Sequence, residues 1–519
     1  MYYFVPAWYR RNRSWLSYGQ IWFRNSGLVH FAFDDAINQI RMFKDEDKPV
    51  KILTVGYFPS IGYFLFRHNI MDVESDNIFD KMQGIPANQE IRNIDYRDFN
   101  WPRDCDFVYN SFNILVYRAD VLYARIQMGV NGNMMLIEFL RDGYKYRTMF
   151  FDWRGFLSSI LNYDGQGRFE SRVFLDPEGN EIFINNKDDT VDIYPIAQDR
   201  FKKKKYSSLT EMISEYTDKY IAENIKPNDS IIISASRRHD RFLLDKLEGY
   251  KTVLSFFGRR TKFDDPNVFE TAKKASMVIA DTNYITQLMK NNGIKHIVQM
   301  PPLDTSLSLG QSDQERMLKI FFMVSDLPNE VLIPAIDQLV DLMEENELVE
   351  VDFADYEGDN QFDKVKKFTL DAIKRRDCKY NYIFLHSNDP TPKENTQKDS
   401  EYKIRRIDYH TIHTDNDLVK TLKPMRLIVD LSTRPEIFLQ VVGISTAIPQ
   451  INLVHSDYVD NGENGLQINS VDELGQALRY YLSTLANWNQ AKMYSVRKIS
   501  SYSSERLVRE LENAVGSES

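Results

Sequence analysis

Residues 230–280 read SIIISASRRHDRFLLDKLEGYKTVLSFFGRRTKFDDPNVFETAKKASMVIA. Three apolar runs stand out, SIIIS at Ser230–Ser234, KTVLSFF at 251–257 and SMVIA at 276–280. Each has the length of a strand, and the charged segments between them leave room for helices. A helical pattern beginning near Ser207 leads into the first run. Strand and helix in alternation favour a parallel sheet covered by helices, because parallel neighbours need a long crossover to join them.

The same texture opens the chain. Residues 2–8 form an apolar run, Phe33, Ile37, Ile40 and Phe43 recur at helical spacing, and KILTVG at 51–56 reads as a further strand. Between the two α/β stretches the pattern changes. From about Trp101 the chain carries strand-like runs at 114–128, 134–140 and 144–153, joined at Asn131-Gly132 and Asp142-Gly143. Such pairs tolerate the positive φ angles of two-residue hairpin turns. After Asp164-Gly165-Gln166-Gly167, residues Phe169, Ser171, Val173 and Leu175 alternate with Arg168, Glu170 and Arg172, and a turn at 176–180 leads into 181–185. The expectation is a meander of roughly five antiparallel strands with one packed face. Tyr144, Tyr146, Phe150 and Trp153 have the chemistry to stack on sugar or peptide, but a sheet normally buries such residues, and most are expected in its core.

A second α/β block begins near Arg316. It reads as a strand at 318–324, a helix at 330–345, and strands at 349–353, 382–386, 426–431 and 449–454, followed by helical patterns at 471–485 and 494–514. The polar stretch 388–401 reads as a surface loop, and no internal repeat stands out. The expected fold is therefore α/β, with two Rossmann-like domains and an antiparallel β-meander domain inserted in the first. Residues 1–75 and 201–305 are expected to form the first Rossmann-like domain, 76–200 the meander, 306–495 the second, and 496–519 a C-terminal helix.

Bulk properties exclude several function classes. The 519 residues exceed one hydrophobic core, and 43% hydrophobic with 27% charged residues argues for a folded chain rather than a disordered one. A net charge of −10 gives no footprint for nucleic acid. The two cysteines, Cys105 and Cys378, make a poor disulfide framework and fit a reducing compartment. An apolar run followed by Arg10, Arg11 and Arg13 reverses the order of a signal peptide, and the apolar runs are far shorter than the ~20 residues of a spanning helix. A cytoplasmic protein is expected. The run Lys202, Lys203, Lys204 and Lys205 offers a candidate lipid contact at the inner face of the membrane, against the ordinary reading of a solvated connector. His410 and His413 are spaced for one helix face, but no further ligand follows at a typical spacing, so they are expected to be solvated near a helix start and no metal is expected. The glycine motifs that cradle phosphates and the nucleophile-elbow motif are absent, and no cofactor is expected.

Residues 426–466, RLIVDLSTRPEIFLQVVGISTAIPQINLVHSDYVDNGENGL, resemble the donor-site region of retaining GT-B glycosyltransferases in the order of their parts. A strand is followed by Ser432, a helix start, a turn at Pro449 and a loop with Asn464-Gly465-Leu466. In that family two glutamates contact the donor sugar and its ribose. With Pro449 set on the family's proline, Arg434 falls at the first glutamate and Val442 at the second. Glu436 substitutes only if the register slips by two, and Val442 and Gly443 then bracket the second place. Residues 318–331 similarly resemble the segment whose Arg and Lys grip the nucleotide diphosphate, with Asp326 and Val331 in their places. An acid and an alkyl group there remove the charge-assisted bonds a diphosphate needs. The resemblance implies a degenerate donor site.

A GT-B start interrupted by a meander resembles the transferases that add the first sugars to serine-rich-repeat adhesins. The opening MYYFVPAWY, the stripped second block and the length are similar to the first accessory secretory proteins of the accessory Sec system, and the resemblance covers essentially the whole chain. It implies a non-catalytic export factor with two sibling accessory proteins, one carbohydrate-binding-module-like and one acetyltransferase-like, and with the accessory SecA motor and the glycosylated adhesin as further partners. The alternative is an active retaining transferase in which Glu436 serves the donor and Arg237, Arg238, Arg259 or Arg260 replaces the diphosphate clamp. These arginines lie at the ends of expected strands, where α/β ligands bind.

Overall fold

The computed structural model describes residues 1–9, 15–16, 34–110, 113–257, 260–301, 305, 308–356, 359–386, 404–433 and 435–516. They fall into two compact units, one built mainly on Asp34–Met300 with the N-terminal strand and the residues from Glu512, the other on Pro301–Leu511.

The first unit holds a parallel sheet in the order Ile297–Gln299, Met277–Ala280, Lys251–Phe256, Ser230–Ser234, Tyr2–Val5, Val50–Thr54 and Glu74–Asn77. The N-terminal strand is central, with Tyr3 opposite both Ile231 and Lys51. Ser230–Ser234 is buried along its whole length, so both of its faces are covered and SIIIS is a continuous apolar run rather than an alternating one. The helix Asp35–Asp45 starts at Asp34, whose carboxylate accepts the Ile37 amide, and buries Ile37, Ile40, Met42 and Phe43. Phe33, which shares their spacing, lies outside the described residues, as do the arginines at 10, 11 and 13.

Between Glu74–Asn77 and Ser230–Ser234 the chain lays down an antiparallel sheet of ten strands in sequential order, from Cys105–Tyr109 to Lys205–Tyr206. That is twice the expected number. The run 114–128 divides into Asn113–Arg118 and Val121–Met128 at Ala119-Asp120, both with positive φ (47° and 62°). This is the backbone of a two-residue hairpin turn carried by an uncharacteristic alanine. The expected turns at Gly132, Asp142-Gly143, Gly167 and Gly179 all adopt positive φ. The sheet core contains Ile114, Val116, Ala124, Ile126, Met134, Ile137 and Phe151, and not Tyr144, Tyr146, Phe150 and Trp153, most of which were expected there. Tyr144 is exposed and Tyr146, Phe150 and Trp153 are half-buried. Trp153 lies where a Cβ on Gly62 would stand, and Phe150 faces the Arg172 guanidinium, so both rings join elements instead of filling the sheet's own interior.

The meander is packed on the parallel sheet. Phe174, Ile182 and Phe183 share one core with Ile231, Leu254 and Tyr57. The Tyr57 hydroxyl bonds Ser158 and Ser159 at 3.0 and 2.8 Å, and Gln83 Nε2 donates to the carbonyl of Ser158 at 3.0 Å.

The second unit is a parallel sheet in the order Asn381–His386, Ile404–Thr411, Val349–Asp355, Leu318–Met323, Leu427–Asp430, Gln450–Asn452 and Gly465–Gln467. Ile404–Thr411 occupies the place where a loop and a helix start were expected. Its IRRIDYHT buries Ile407 and Tyr409 on one face, beside Arg405, and gives Arg406, Asp408 and His410 to the other, a half-polar pattern that the short apolar-run criterion does not register. Residues 388–401, read as a loop, lie outside the described residues.

Candidate functional site

In the second unit, Leu318–Met323 is followed in sequence by strands on one side and flanked by Leu427–Asp430 on the other. The order of the sheet reverses between them, and the carboxyl ends of such strands open the crevice in which α/β proteins bind ligands.

On one side of this switch point, Asp326 is exposed in a left-handed turn (φ 55°) that carries the chain into the helix Asn329–Glu345. Ser325 ties the turn down, donating to Asp355 Oδ1 at 2.6 Å and accepting the Tyr356 amide at 3.2 Å. Val331, one turn into the helix, packs against the apolar cluster that contains Leu332, Ile336 and Val349. The first turn of the helix carries Glu330 and no cation. An anion would meet helix N–H groups here, but also two nearby acids.

On the other side, Asp430 is 1% exposed and accepts the amides of Ser432 and Glu436 at 3.0 and 3.1 Å. Burial pushes its carboxyl above the ordinary value. The group organises the loop between its strand and the helix Ile437–Thr446. Glu436 stands at the start of that helix without capping it through its side chain. Val442 is turned into the core, clustered with Phe321, Met323 and Leu439. A carboxylate at 442 would be buried among alkyl and aromatic groups in this rotation of the helix. Arg434 lies outside the described residues. Behind the loop is a set of buried amides that sequence reasoning missed. Gln450 Nε2 donates to the Gln440 carbonyl at 2.9 Å, lying flat where a Cβ on Gly443 would be, and Ser456 donates to Gln440 Oε1 at 2.6 Å.

In the first unit, the strand-end arginines have separate fates. Arg260 forms two bonds to Asp35, at 2.5 and 2.8 Å, and donates to the carbonyls of Ala235 and Ser255 at 2.7 and 3.0 Å. Its donors are used up by the fold, which removes it as a free phosphate contact. Arg237 is exposed and paired with Asp265, and the Arg238 guanidinium lies 5.9 Å from the Tyr9 ring. Arg259 lies outside the described residues. Around Arg260, Asp34 is raised to about 6 by burial and by neighbouring Asp35, Asp240 to about 7 by burial, and His239 is lowered to about 4 by burial. Asp35 sits one residue past a helix N-cap, a position where an acid is ordinarily attributed to the helix dipole, so its pairing with a residue 225 positions away left no local trace.

The lysine run meets the other edge of the meander. All four side chains are exposed, but Lys203 is paired with Glu211 and Lys205 with Asp192 at 3.3 Å.

His410 is not solvated near a helix start. It lies on the strand Ile404–Thr411, and its Nε2 bonds buried Asp352 at 2.9 Å. With Asp408 these residues bring three potential metal-ligand atoms within 4.8 Å of one another. The set was invisible in sequence because Asp352 comes from a neighbouring strand. Its capacity is already engaged: Arg406 Nε donates to both Asp408 oxygens at 2.8 and 2.9 Å, and Asp352 holds His410. The arrangement fits an internal hydrogen-bonded cluster better than a cation site.

Two parallel α/β sheets, the first interrupted by an antiparallel one, define the GT-B glycosyltransferase-like class. The pneumococcal O-GlcNAc transferase GtfA, in complex with UDP and GlcNAc, superposes with a TM-score of 0.66 at 11% identity, covering 99% of this chain and 98% of that one, a likeness of fold alone. The chain belongs to the family of the accessory Sec system protein Asp-1, whose model matches residues 1–517. It is 34% identical to the Streptococcus gordonii member over 514 residues, covering 96% of both chains. Among solved structures it is similar to a chain of the Glycosylation Associate Protein (Gap123) complex of Streptococcus agalactiae, with a TM-score of 0.82, 32% identity and coverage of 99% and 100%. It is also similar to a chain of the accessory secretory protein 1, 2 and 3 structure of Streptococcus pneumoniae, with a TM-score of 0.81, 27% identity and coverage of 100% and 99%. The chain is thus an accessory Sec system component with a glycosyltransferase-like fold. Among the described residues no helix is long and apolar enough to cross a membrane.

Proposed function

We propose that this chain is a pseudo-glycosyltransferase. It binds two sibling accessory proteins and the glycosylated serine-rich-repeat adhesin in the cytoplasm, and it presents the adhesin to the accessory SecA motor. The reading of a lost donor site rests on one observation above all: Val442 lies in one apolar cluster of the second unit and Val331 packs against another, so two positions that the resemblance assigns to the donor site are spent on packing. Asp326 adds an acid where a diphosphate would need a cation. Complexes of similar chains with two further proteins support the sibling partners, since the pneumococcal structure contains accessory secretory proteins 1, 2 and 3. The exposed lysines at 202 and 204 support peripheral contact with anionic lipid.

Titration calorimetry with UDP-N-acetylglucosamine and UDP-glucose, run beside hydrolysis and transfer assays, is the test. The expected outcome is no heat and no turnover, with glycosylated adhesin retained in a pull-down. Micromolar binding with turnover would overturn the proposal and make Glu436 the first residue to replace.

A further inference from the structure

Arg426 immediately precedes the strand Leu427–Asp430, at the amino end of the strand, opposite the carboxyl end that faces the switch point. It is 8% exposed, and its guanidinium lies 3.6 Å from the centre of the Trp488 ring. The ring is pinned from below, because Trp488 Nε1 donates to the Arg426 carbonyl at 2.8 Å, and the Arg426 amide donates to the Lys319 carbonyl at 2.7 Å. Lys492, one helical turn beyond Trp488, brings its Nζ to 5.0 Å from the same ring. Lys492 is itself bonded to Asp313 at 3.5 Å, with the Asp313 carboxylate more than half exposed.

Among the described residues no carboxylate comes within ion-pair distance of Arg426, and its Nε has no hydrogen-bond partner. Arg260 and Arg154 are each held by acids, and Arg405, 3% exposed and stacked on the Tyr380 ring, donates to the Glu347 carbonyl. A buried cation without a counter-ion is costly, and stacking on an indole recovers only part of the lost hydration. Burial accordingly lowers the Arg426 guanidinium from its ordinary value, with Asp313 opposing from a distance.

We propose that Arg426, with Trp488 and Lys492, forms a binding site for a carboxylate carried on an acidic segment of a partner protein. Arg426 and Lys492 on the Trp488 ring, together with Asp313 paired to Lys492, sum to a single positive charge, which matches a monoanionic carboxylate and leaves a phosphate dianion uncompensated. The Arg426 guanidinium lies over the Trp488 ring, and its planar fork of N–H donors suits a planar two-oxygen acceptor, the match in which arginine outperforms lysine. One such contact contributes too little to overcome the entropy of association alone, so the carboxylate belongs to a larger docking surface.

The experiment uses the full chain and a blocked peptide bearing four glutamates, its glutamine counterpart, and inorganic phosphate, each titrated calorimetrically. The glutamate peptide is expected to bind saturably and the glutamine peptide not at all. Arg426→Met, which keeps the stacked alkyl portion, is expected to weaken the peptide by about tenfold or more without lowering the melting temperature. Asp313→Asn, which removes the competing internal acid, is expected to tighten it. Phosphate binding in preference to the peptide overturns the proposal, as does peptide binding that Arg426→Met leaves unchanged. Absence of peptide binding, together with a lower melting temperature for Asp313→Asn, also overturns it, because Asp313 is then the resident counter-ion.

Discussion

Arg260 and Asp35 form a buried pair in which each needs the other. Asp35 is 1% exposed, and among the described residues loss of the guanidinium would leave its charge with the Ser255 and Ser234 hydroxyls. Arg260→Met is therefore expected to cost about 3–5 kcal/mol, the penalty for stranding a buried charge. Most of that cost should return in Arg260→Met combined with Asp35→Asn, a double-mutant cycle readable from urea midpoints. Asp240 and His239, neighbours in the same cluster, make a pH prediction. Asp240 stands at about 7 in the fold against 3.8 for an ordinary aspartate, so between those values the folded chain keeps a proton that the unfolded chain has released. Its contribution favours folding on the acid side and is lost as pH rises through 7. His239 runs the other way, at about 4 against 6.5, so the unfolded chain binds the extra proton and its contribution is lost as pH falls below 6.5. The two oppose each other between about pH 4 and 6.5. Asp240→Asn removes one side, and its stability is expected to fall on acidification more steeply than the parent's, by up to about 1.4 kcal/mol per pH unit. Parallel slopes at pH 7, 6 and 5 would contradict this assignment.

The antiparallel sheet shows how turn chemistry limits what is legible at the level of elements. Asp142-Gly143 announces its hairpin because both residues accept positive φ (51° and 79°). Ala119-Asp120 makes a turn of the same kind, yet alanine in that region pays a steric cost, and so the strand pair on either side reads as a single run. Relief of that cost is measurable. Ala119→Asn is expected to raise stability by about 0.5–1 kcal/mol without changing the sheet, as thermal melts would show. The short strands Val191–Ile193 and Lys205–Tyr206 escaped for another reason, since two or three residues are below the length at which alternation can be counted. Helices were more legible. Asp34 caps Asp35–Asp45, and its buried residues are the ones the spacing selects. The rotation of a helix about its axis is less so, as Val442 illustrates by facing the sheet rather than the crevice.

For the molecule as a whole, net charge works against membrane contact and the lysine edge works for it. Lys203 and Lys205 are paired with acids of their own unit, whereas Lys202 and Lys204 carry no ion pair among the described residues. If the lipid reading holds, Lys202→Ala and Lys204→Ala each weaken binding to phosphatidylglycerol vesicles by about fivefold, near 1 kcal/mol per charge, and Lys203→Ala by less. Equal binding by the double variant in low salt would sink it. The sequence by itself determined the alternation of strand and helix in both blocks, the interruption by antiparallel hairpins, the absence of phosphate-cradling glycine motifs and the family resemblance. All of these reside in local periodicity, turn residues and the order of segments. Only the tertiary structure decided that Arg260 is held by Asp35, that His410 is held by Asp352, that Val442 is core, and that Arg426 lies on Trp488. Each is a contact between residues far apart in the chain. It depends on which strands become neighbours and how each helix is turned, and no local pattern of residues encodes either one.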